Sequence, residues 1–239
     1  MILDVACTRL QVAEDGKKIP LRKCRVMRVK RKQSLIANIG DTGSITRRVA
    51  QAVSESRLNY WASYVTDFTC PLLFGYLGMR HHWNWSSVIF SFLSGWIVFS
   101  LIEYSVHRWL LHAGEGLLFR LHESHHHHPE EPSAFFFATS IVVLTLAWLL
   151  LDRALHLDGA SFFICGFASG YCYFGLLHHL EHTTRINRIP FRWLQKRWAA
   201  HSVHHRLDHH NFGVITSFWD LVFKTHQSNK KRERSEVVP

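Results

Sequence analysis

Ten histidines in this chain are spaced so that their imidazoles can converge on metal ions. They fall into four groups: His107 and His112; His122, His125 and His126; His178 and His182; His201, His204 and His205. Residues three and four positions apart lie on one face of a helix. His122, His125 and His126 are therefore expected to present three rings towards one point, and His201, His204 and His205 repeat the triplet. His178 and His182 are a pair four apart. The five-residue step from His107 to His112 fits a straight helix less well and requires a helix end or a local distortion. Imidazole suits zinc, copper, iron and nickel, and at neutral pH the ring binds without first losing a proton. About ten ligands in paired clusters point to two adjacent ions. With no cysteine in any group, a thiolate zinc site or an iron–sulfur cluster is disfavoured. His81, His82, His156 and His226 read as ordinary surface or core residues.

The elements that must carry these rings are helices in a bilayer. The 239-residue chain is 47% hydrophobic and 19% charged, and its apolar residues are gathered into blocks between basic, histidine-rich stretches. Four blocks have span-like length. The first, Tyr64 to Met79, is shortened by Asp67 and interrupted by Pro71 and Gly75. The second runs from Trp85 to Leu101, the third from Phe135 to Leu151 without a break, and the fourth from Ala160 to Leu177. Each is near the lower limit for a span, roughly 17 to 25 residues. Short links, around Arg80 to Asn84 and Asp152 to Gly159, fold them into two antiparallel hairpins. The expected fold class is all-α: an integral membrane helical bundle of about four transmembrane helices in two hairpins, with a helical cap carrying the histidines. Two hairpins return the chain to its starting side, and segments 103–132 and 178–226 hold sixteen of the nineteen histidines.

The formal net charge is +10, with basic residues crowded into the first sixty positions and into the tail from Lys230 to Arg234. By the positive-inside rule both termini, and with them the metal site, are expected in the cytosol. The membrane would be the cytoplasmic one, or the endoplasmic reticulum in a eukaryote. Residues 1–60 read as a basic, partly disordered extension able to lie on anionic headgroups. Residues 61–226 read as the membrane domain with its metal-bearing cap, and 227–239 as a basic flexible tail. The first residues have no basic stretch leading into an apolar one, so no cleavable signal peptide is expected. The five cysteines, Cys7, Cys24, Cys70, Cys165 and Cys172, form no C-x-x-C pair and read as free thiols in a reducing compartment. The basic charge is not matched by any nucleic-acid-binding signature, so no nucleic-acid partner is expected. A metal transporter or metal-binding protein is a further class, but transport predicts ionisable groups within the spans. The third block has only Thr139, Ser140 and Thr145, which counts against a pore.

At these residues the chain resembles the fatty acid hydroxylase and sterol desaturase superfamily of membrane histidine-rich di-iron oxygenases, in the fatty acid 2-hydroxylase style. Glu103-Tyr104-Ser105-Val106-His107 followed by His112 resembles its E-x-x-x-H-x-x-x-x-H box. His122 to His126, closed by Pro129, resembles H-x-x-H-H-x-x-P. Gly170-Tyr171 leading to His178 and His182 is similar to the third element, and His201 to His205 to the last H-x-x-H-H box. The run Asn211 to Thr225 is similar to the closing F-G-V-x-T-S-x-W-D-x-x-F-x-T signature. The chain departs from the pattern at Glu123, where glycine is common, and at Gly175, where an acidic residue is common. The resemblance covers about residues 85 to 226.

The resemblance implies a non-haem dimetal centre of two iron ions held by the ten histidines, using O2 to hydroxylate a C–H bond of a fatty acyl or sphingolipid-like chain. Zinc cannot change oxidation state, so iron is the functional expectation even if zinc replaces it on purification. The first sixty residues contain no histidine to hold a haem. Electrons are therefore expected from a separate protein, cytochrome b5-like or ferredoxin-like. Desaturation or hydroxylation of a sterol or carotenoid is the alternative on the same metal chemistry. Glu103 and Glu181 read either as carboxylates that orient ligand rings or as ordinary solvated ones. Phe135, Phe136, Phe137, Phe174, Trp193 and Trp198 read as a lipid-facing belt more readily than as a substrate route. Asn211 to Thr225 reads as a structural cap over the metals.

Overall fold

The computed structural model describes residues 42–80, 84–185 and 188–228. The chain divides into two units, Met1–Arg48 and Val49–Pro239; of the first, only 42–48 are described. The expected N-terminal extension up to residue 41, the histidines at 81 and 82, and the tail from 229 lie outside the described residues. Cys7 and Cys24 lie there too, while Cys70, Cys165 and Cys172 are free thiols.

Among the described residues the structure is all helical. The helices are α1 (Thr42–Ser54), α2 (Arg57–Met79), α3 (Trp85–Ser105), α4 (Leu117–His127), α5 (Thr139–Trp148), α6 (Ala160–Thr183), α7 (Arg192–His204) and α8 (Phe218–Val222). Single π-helical segments, Val106–Leu111 and Leu149–Ala154, continue α3 and α5. Helix α1 and the first turn of α2 fall within residues 1–60, the stretch expected to be a partly disordered extension.

Two helices are long and apolar enough to cross a bilayer: Trp85–Leu111, of 27 residues, and Ala160–Thr183, of 24. Their most apolar windows are only 22% and 50% buried. A soluble protein would bury such helices in its core, whereas here Phe90, Leu93 and Ile97 of α3 are exposed, as lipid contact requires. The expected third span is displaced along the chain, running with its π-helical continuation from Thr139 to Ala154 instead of Phe135 to Leu151. Its helix starts at Thr139, because Asn59 of α2 donates to the Phe135 carbonyl at 2.8 Å and accepts from the Phe137 N–H at 2.9 Å. The backbone groups of Phe135 and Phe137 are thereby tied to α2 and not to a helix of their own.

Helix α2 runs unbroken through Pro71, contrary to the interruption expected there. Proline removes the N–H that would pair with the carbonyl four residues back. That carbonyl, of Asp67, instead accepts from the Cys172 thiol of α6 at 3.1 Å.

Helix α6 is the centre of the bundle and packs against α2, α3 and α5. The expected first hairpin partners, α2 and α3, share no extended packed face; α6 lies against both. Contacts between Tyr64 and Gly175 and between Pro71 and Cys165 make α2 antiparallel to α6. Helix α3 runs parallel to α6, and the pair meets backbone to backbone. A Cβ on Gly95 would lie 2.0 Å from the Phe163 carbonyl, and one on Gly166 would lie 2.0 Å from the Phe92 carbonyl. Small residues at such crossings let apolar helices approach closely. The consequence is functional, because the C-terminal ends of α3 and α6, which carry His107 and His178, emerge side by side.

Candidate metal centre

The ten histidines form two groups of five. His107, His112, His122, His126 and His204 make the first pentad, and His125, His178, His182, His201 and His205 the second. Within each, one ring nitrogen from every residue lies within 4.8 Å of the others. The remaining described histidines enter neither pentad. His179 instead pairs through Nδ1 with the Tyr60 hydroxyl at 2.7 Å.

The distortion that the step from His107 to His112 requires is the π-helical segment Val106–Leu111. In an α-helix a fifth residue points about 140° away. Hydrogen bonding from i to i+5 returns it to the same side, and the two rings lie 5.0 Å apart. The second half of the chain needs no such device, since His178 and His182 are four apart on a regular helix.

The H-x-x-H-H triplets do not converge on one point as expected. On α4, His122 and His126 turn to the first pentad while His125 turns to the second. Relative to the first residue, the third and fourth that follow are rotated by about −60° and +40°. Neighbouring rings in the triplet are therefore about 100° apart, enough to address two sites flanking the helix. Helix α7 does the same in reverse, giving His201 and His205 to the second pentad and His204 to the first. Each pentad thus combines a pair from the end of a membrane-length helix, a pair from one cap helix and a single ring from the other.

The inward atoms are all Nε2. In the first pentad, successive Nε2 pairs, His107 with His122, His122 with His112, His112 with His204 and His126 with His122, are 3.0, 2.9, 3.0 and 3.1 Å apart. In the second, His182 Nε2 lies 3.1, 3.2 and 2.9 Å from those of His125, His178 and His201, and His205 Nε2 lies 3.0 Å from that of His201. Metal–nitrogen bonds of about 2.1 Å set at right angles separate neighbouring nitrogens by about 3.0 Å. The spacing therefore fits rings gathered round an ion.

Proton placement supports the same reading. His107 Nδ1 donates to the Phe212 carbonyl and His204 Nδ1 to the His210 carbonyl, the latter at 2.8 Å. A carbonyl can only accept, so both rings carry their proton on Nδ1 and turn a lone pair inward. Lone pairs facing one another across 3 Å repel unless a cation lies among them. Burial holds the cap rings in the neutral form that binds metal: His112 is pushed down to about 4, His125 to about 3, and His204 and His205 to about 2. Neighbouring imidazoles lower each of them further.

The closing segment explains the carbonyls. Buried Asp220 accepts from the Phe212 N–H at 2.8 Å, the Gly213 N–H at 3.0 Å and the Thr225 hydroxyl at 2.8 Å. Thr225 in turn pairs with the Tyr104 hydroxyl of α3 at 3.0 Å. Gly213 is obligatory, since a Cβ there would lie 2.1 Å from the Thr216 carbonyl. Glu103 touches no ligand ring; it accepts from the Val214 N–H at 3.0 Å and so holds the same segment. Glu181 lies 3.6 Å from His201 Nδ1, beyond hydrogen-bond length. The sequence marks Asn211 to Thr225 as a cap, but nothing in it reveals that Phe212 and His210 orient rings through their backbones. Of the aromatics considered for a substrate route, Phe174 stacks on His178 with centroids 5.6 Å apart. Phe135, Phe136, Phe137 and Trp193 are exposed, and Trp198 donates to the Thr184 carbonyl. Phe212, in the run expected to cap the site, packs against His107, His112 and His204.

Fold and site together define a helical protein with membrane-length helices and a histidine-rich, metal-binding cluster at their ends. The fatty acid hydroxylase family model matches residues 92–225, more than half the chain, and the chain belongs to that family. It is 29% identical over 140 residues to the dihydroceramide fatty acyl 2-hydroxylase FAH2 of Arabidopsis thaliana, over 55% of this chain and 58% of that one. The chain thus spans little more than half the length of this relative. It is 28% identical over 129 residues to the beta-carotene hydroxylase of Paracoccus sp. (strain PC1), over 51% of this chain and 76% of that one. A solved structure described as full-length scs7p, with only the hydroxylase domain visible, matches with a TM-score of 0.60 at 25% identity, over 71% of this chain and 67% of that one.

Proposed function

We propose that this chain is an O2-dependent di-iron hydroxylase that oxidises a C–H bond of a fatty acyl or sphingolipid-like chain at a membrane surface. The observation that carries this reading is the pair of imidazole pentads, each with Nε2 atoms set for one ion, in a chain of the fatty acid hydroxylase family. All ten residues are assigned as metal ligands: His107, His112, His122, His126 and His204 for one ion, and His125, His178, His182, His201 and His205 for the other. When bound, two iron ions supply the redox chemistry by which O2, two electrons and two protons convert R–H to R–OH and water.

The chain's own residues do the rest. Ten neutral rings hold the cations without adding negative charge. Backbone carbonyls of Phe212 and His210 fix two of those rings, and Asp220, Glu103 and Tyr104 fix the segment that supplies the carbonyls. The pentads lie at the ends of α3 and α6, so a lipid chain running along these helices reaches them without leaving the apolar phase. Phe174 and Phe212 border the rings and keep that approach dry. Four membrane segments, a cytosolic cap with both termini on that side, and a separate cytochrome b5-like or ferredoxin-like electron donor complete the proposal. In domain terms, residues 61–226 are the catalytic membrane unit, between a basic extension and a basic tail.

The match to a beta-carotene hydroxylase favours a second reading, in which the substrate is an isoprenoid. Lipid mass spectrometry of cells with and without the protein, grown under 18O2, separates the two. The proposal expects acyl chains that gain one heavy oxygen. Labelled carotenoid or sterol with unlabelled acyl chains supports the second reading, loss of two hydrogens without label indicates desaturation, and no oxidised lipid of any class defeats both.

A further inference from the structure

We infer that the two ion sites differ in affinity, the first pentad being the tight, pre-organised site and the second the weak, exchangeable one. The inference rests on the dimetal reading above and concerns only how this chain's residues hold each ion.

The two halves of the site allow a like-for-like comparison because the chain repeats itself. An offset of 71 residues relates Phe92 to Phe163, Gly95 to Gly166 and His107 to His178. The reciprocal glycine contacts, each 2.0 Å from the partner helix's carbonyl to an added Cβ, are the same contact made twice. An offset of 79 relates His122, His125 and His126 to His201, His204 and His205. Under this pairing His107 corresponds to His178 and His204 to His125. The exchange of single rings between cap helices is then what an internal two-fold relation demands.

The symmetry fails at one chemical feature. His107 and His204 each donate Nδ1–H to a backbone carbonyl. Their counterparts do not: His125 Nδ1 is buried with no hydrogen-bond partner, and His178 Nδ1 makes no hydrogen bond among the described residues. His205 Nδ1 and its first-pentad counterpart His126 Nδ1 are both buried without a hydrogen bond, so that pair keeps the symmetry, and His201 Nδ1 has only the Glu181 carboxylate at 3.6 Å. The two carbonyls come from residues 210 and 212, in the segment that follows α7 and is clamped by Asp220. The segment that follows α4 is used differently, pairing at Phe135 and Phe137 with α2. Partners on the unbound ring nitrogen fix tautomer and orientation, and losing one typically costs about 10- to 100-fold in metal affinity. Two such hydrogen bonds serve the first pentad; the second has none, its nearest partner being the Glu181 carboxylate 3.6 Å from His201 Nδ1.

The test is cobalt(II) binding to the full-length protein in lipid nanodiscs after chelator treatment, followed by absorption and by metal retained after dialysis. Two ions should bind in two steps whose dissociation constants differ at least about 10-fold. In His112→Ala, a first-pentad ligand, the tight step should disappear. In His182→Ala, the matching second-pentad ligand, the tight step should persist and the weak one should disappear. Two indistinguishable steps in the wild type, or loss of the tight step in His182→Ala alone, would overturn the inference and leave the dimetal reading intact. Failure to bind cobalt at all would overturn both.

Discussion

His126 lies face to face with His205, ring centroids 4.2 Å apart and planes 22° from parallel, although their Nε2 atoms serve different pentads. This stacked pair is the tightest of several ring contacts between the two halves, and the two sites lie side by side. A cooperative two-metal chemistry needs that adjacency; ten scattered ligands would not supply it.

The ligand assignment makes a metal-content prediction. Purified protein should carry close to two ions per chain, and His204→Ala should reduce that number and abolish hydroxylated product. Exposed His156, at φ 50° in the link between α5 and α6, belongs to neither pentad, and His156→Asn, which tolerates that backbone, should leave metal and product unchanged. Elemental analysis with product assays checks both, and a dead His156→Asn protein would mean the site is elsewhere.

Burial of the cap histidines predicts a direction of pH dependence for the metal-free protein. Free imidazole titrates near 6.5, whereas His112 and His125 in the folded chain are pushed down to about 4 and about 3. Below pH 6.5 the unfolded chain gains protons that the folded chain refuses, so stability falls as pH drops from about 6.5 to about 4. Above pH 7 these rings are neutral in both states and contribute no slope. Denaturation midpoints of chelator-treated protein should hold level from pH 7.5 to about 7 and decline from there to pH 5; a flat profile throughout would contradict the buried, neutral cluster.

Helix α3 and helix α6 must stay in backbone contact to deliver His107 and His178 together. Gly166→Leu places a side chain where a Cβ alone would meet the Phe92 carbonyl at 2.0 Å. Overpacking of this kind costs about 1–3 kcal/mol or more. Both metal-binding steps should weaken together, unlike a single ligand substitution. Full metal retention in Gly166→Leu would show that the helix contact does not position the site.

Asp220 makes no contact with any ligand ring, yet Asp220→Ala would leave the Phe212 and Gly213 N–H groups and the Thr225 hydroxyl without their acceptor. An unsatisfied buried group costs about 1–3 kcal/mol, so a loss of at least about 2 kcal/mol is expected across the three. Tyr104→Phe removes the hydrogen bonds to Thr225 and from Arg108 but leaves Asp220 in place, and should cost less, about 1–2 kcal/mol. Denaturant unfolding of both variants, with metal content, checks the order; equal stability would remove the clamp from this account.

Much of this protein was legible in its sequence because the signals are local. Apolar blocks marked the helices, histidine spacing marked the rings, and the boxes with the closing run of Asn211 to Thr225 marked the family. The sequence even showed that the step from His107 to His112 needs a distortion, though not that a π-helical segment supplies it. Only the tertiary structure decided how ten rings divide into two sets, because that depends on which side of α4 and α7 each neighbour lies. It also decided that α2 runs through Pro71, since the thiol that occupies the freed carbonyl comes from a helix a hundred residues later. The third block begins its helix at Thr139 for the same reason, as the partner for Phe135 and Phe137 is distant Asn59. The orienting carbonyls of Phe212 and His210 stayed hidden because backbone groups are the same in every residue. Spacing along a helix fixes which side chains share a face; what that face meets is settled only when the helices pack.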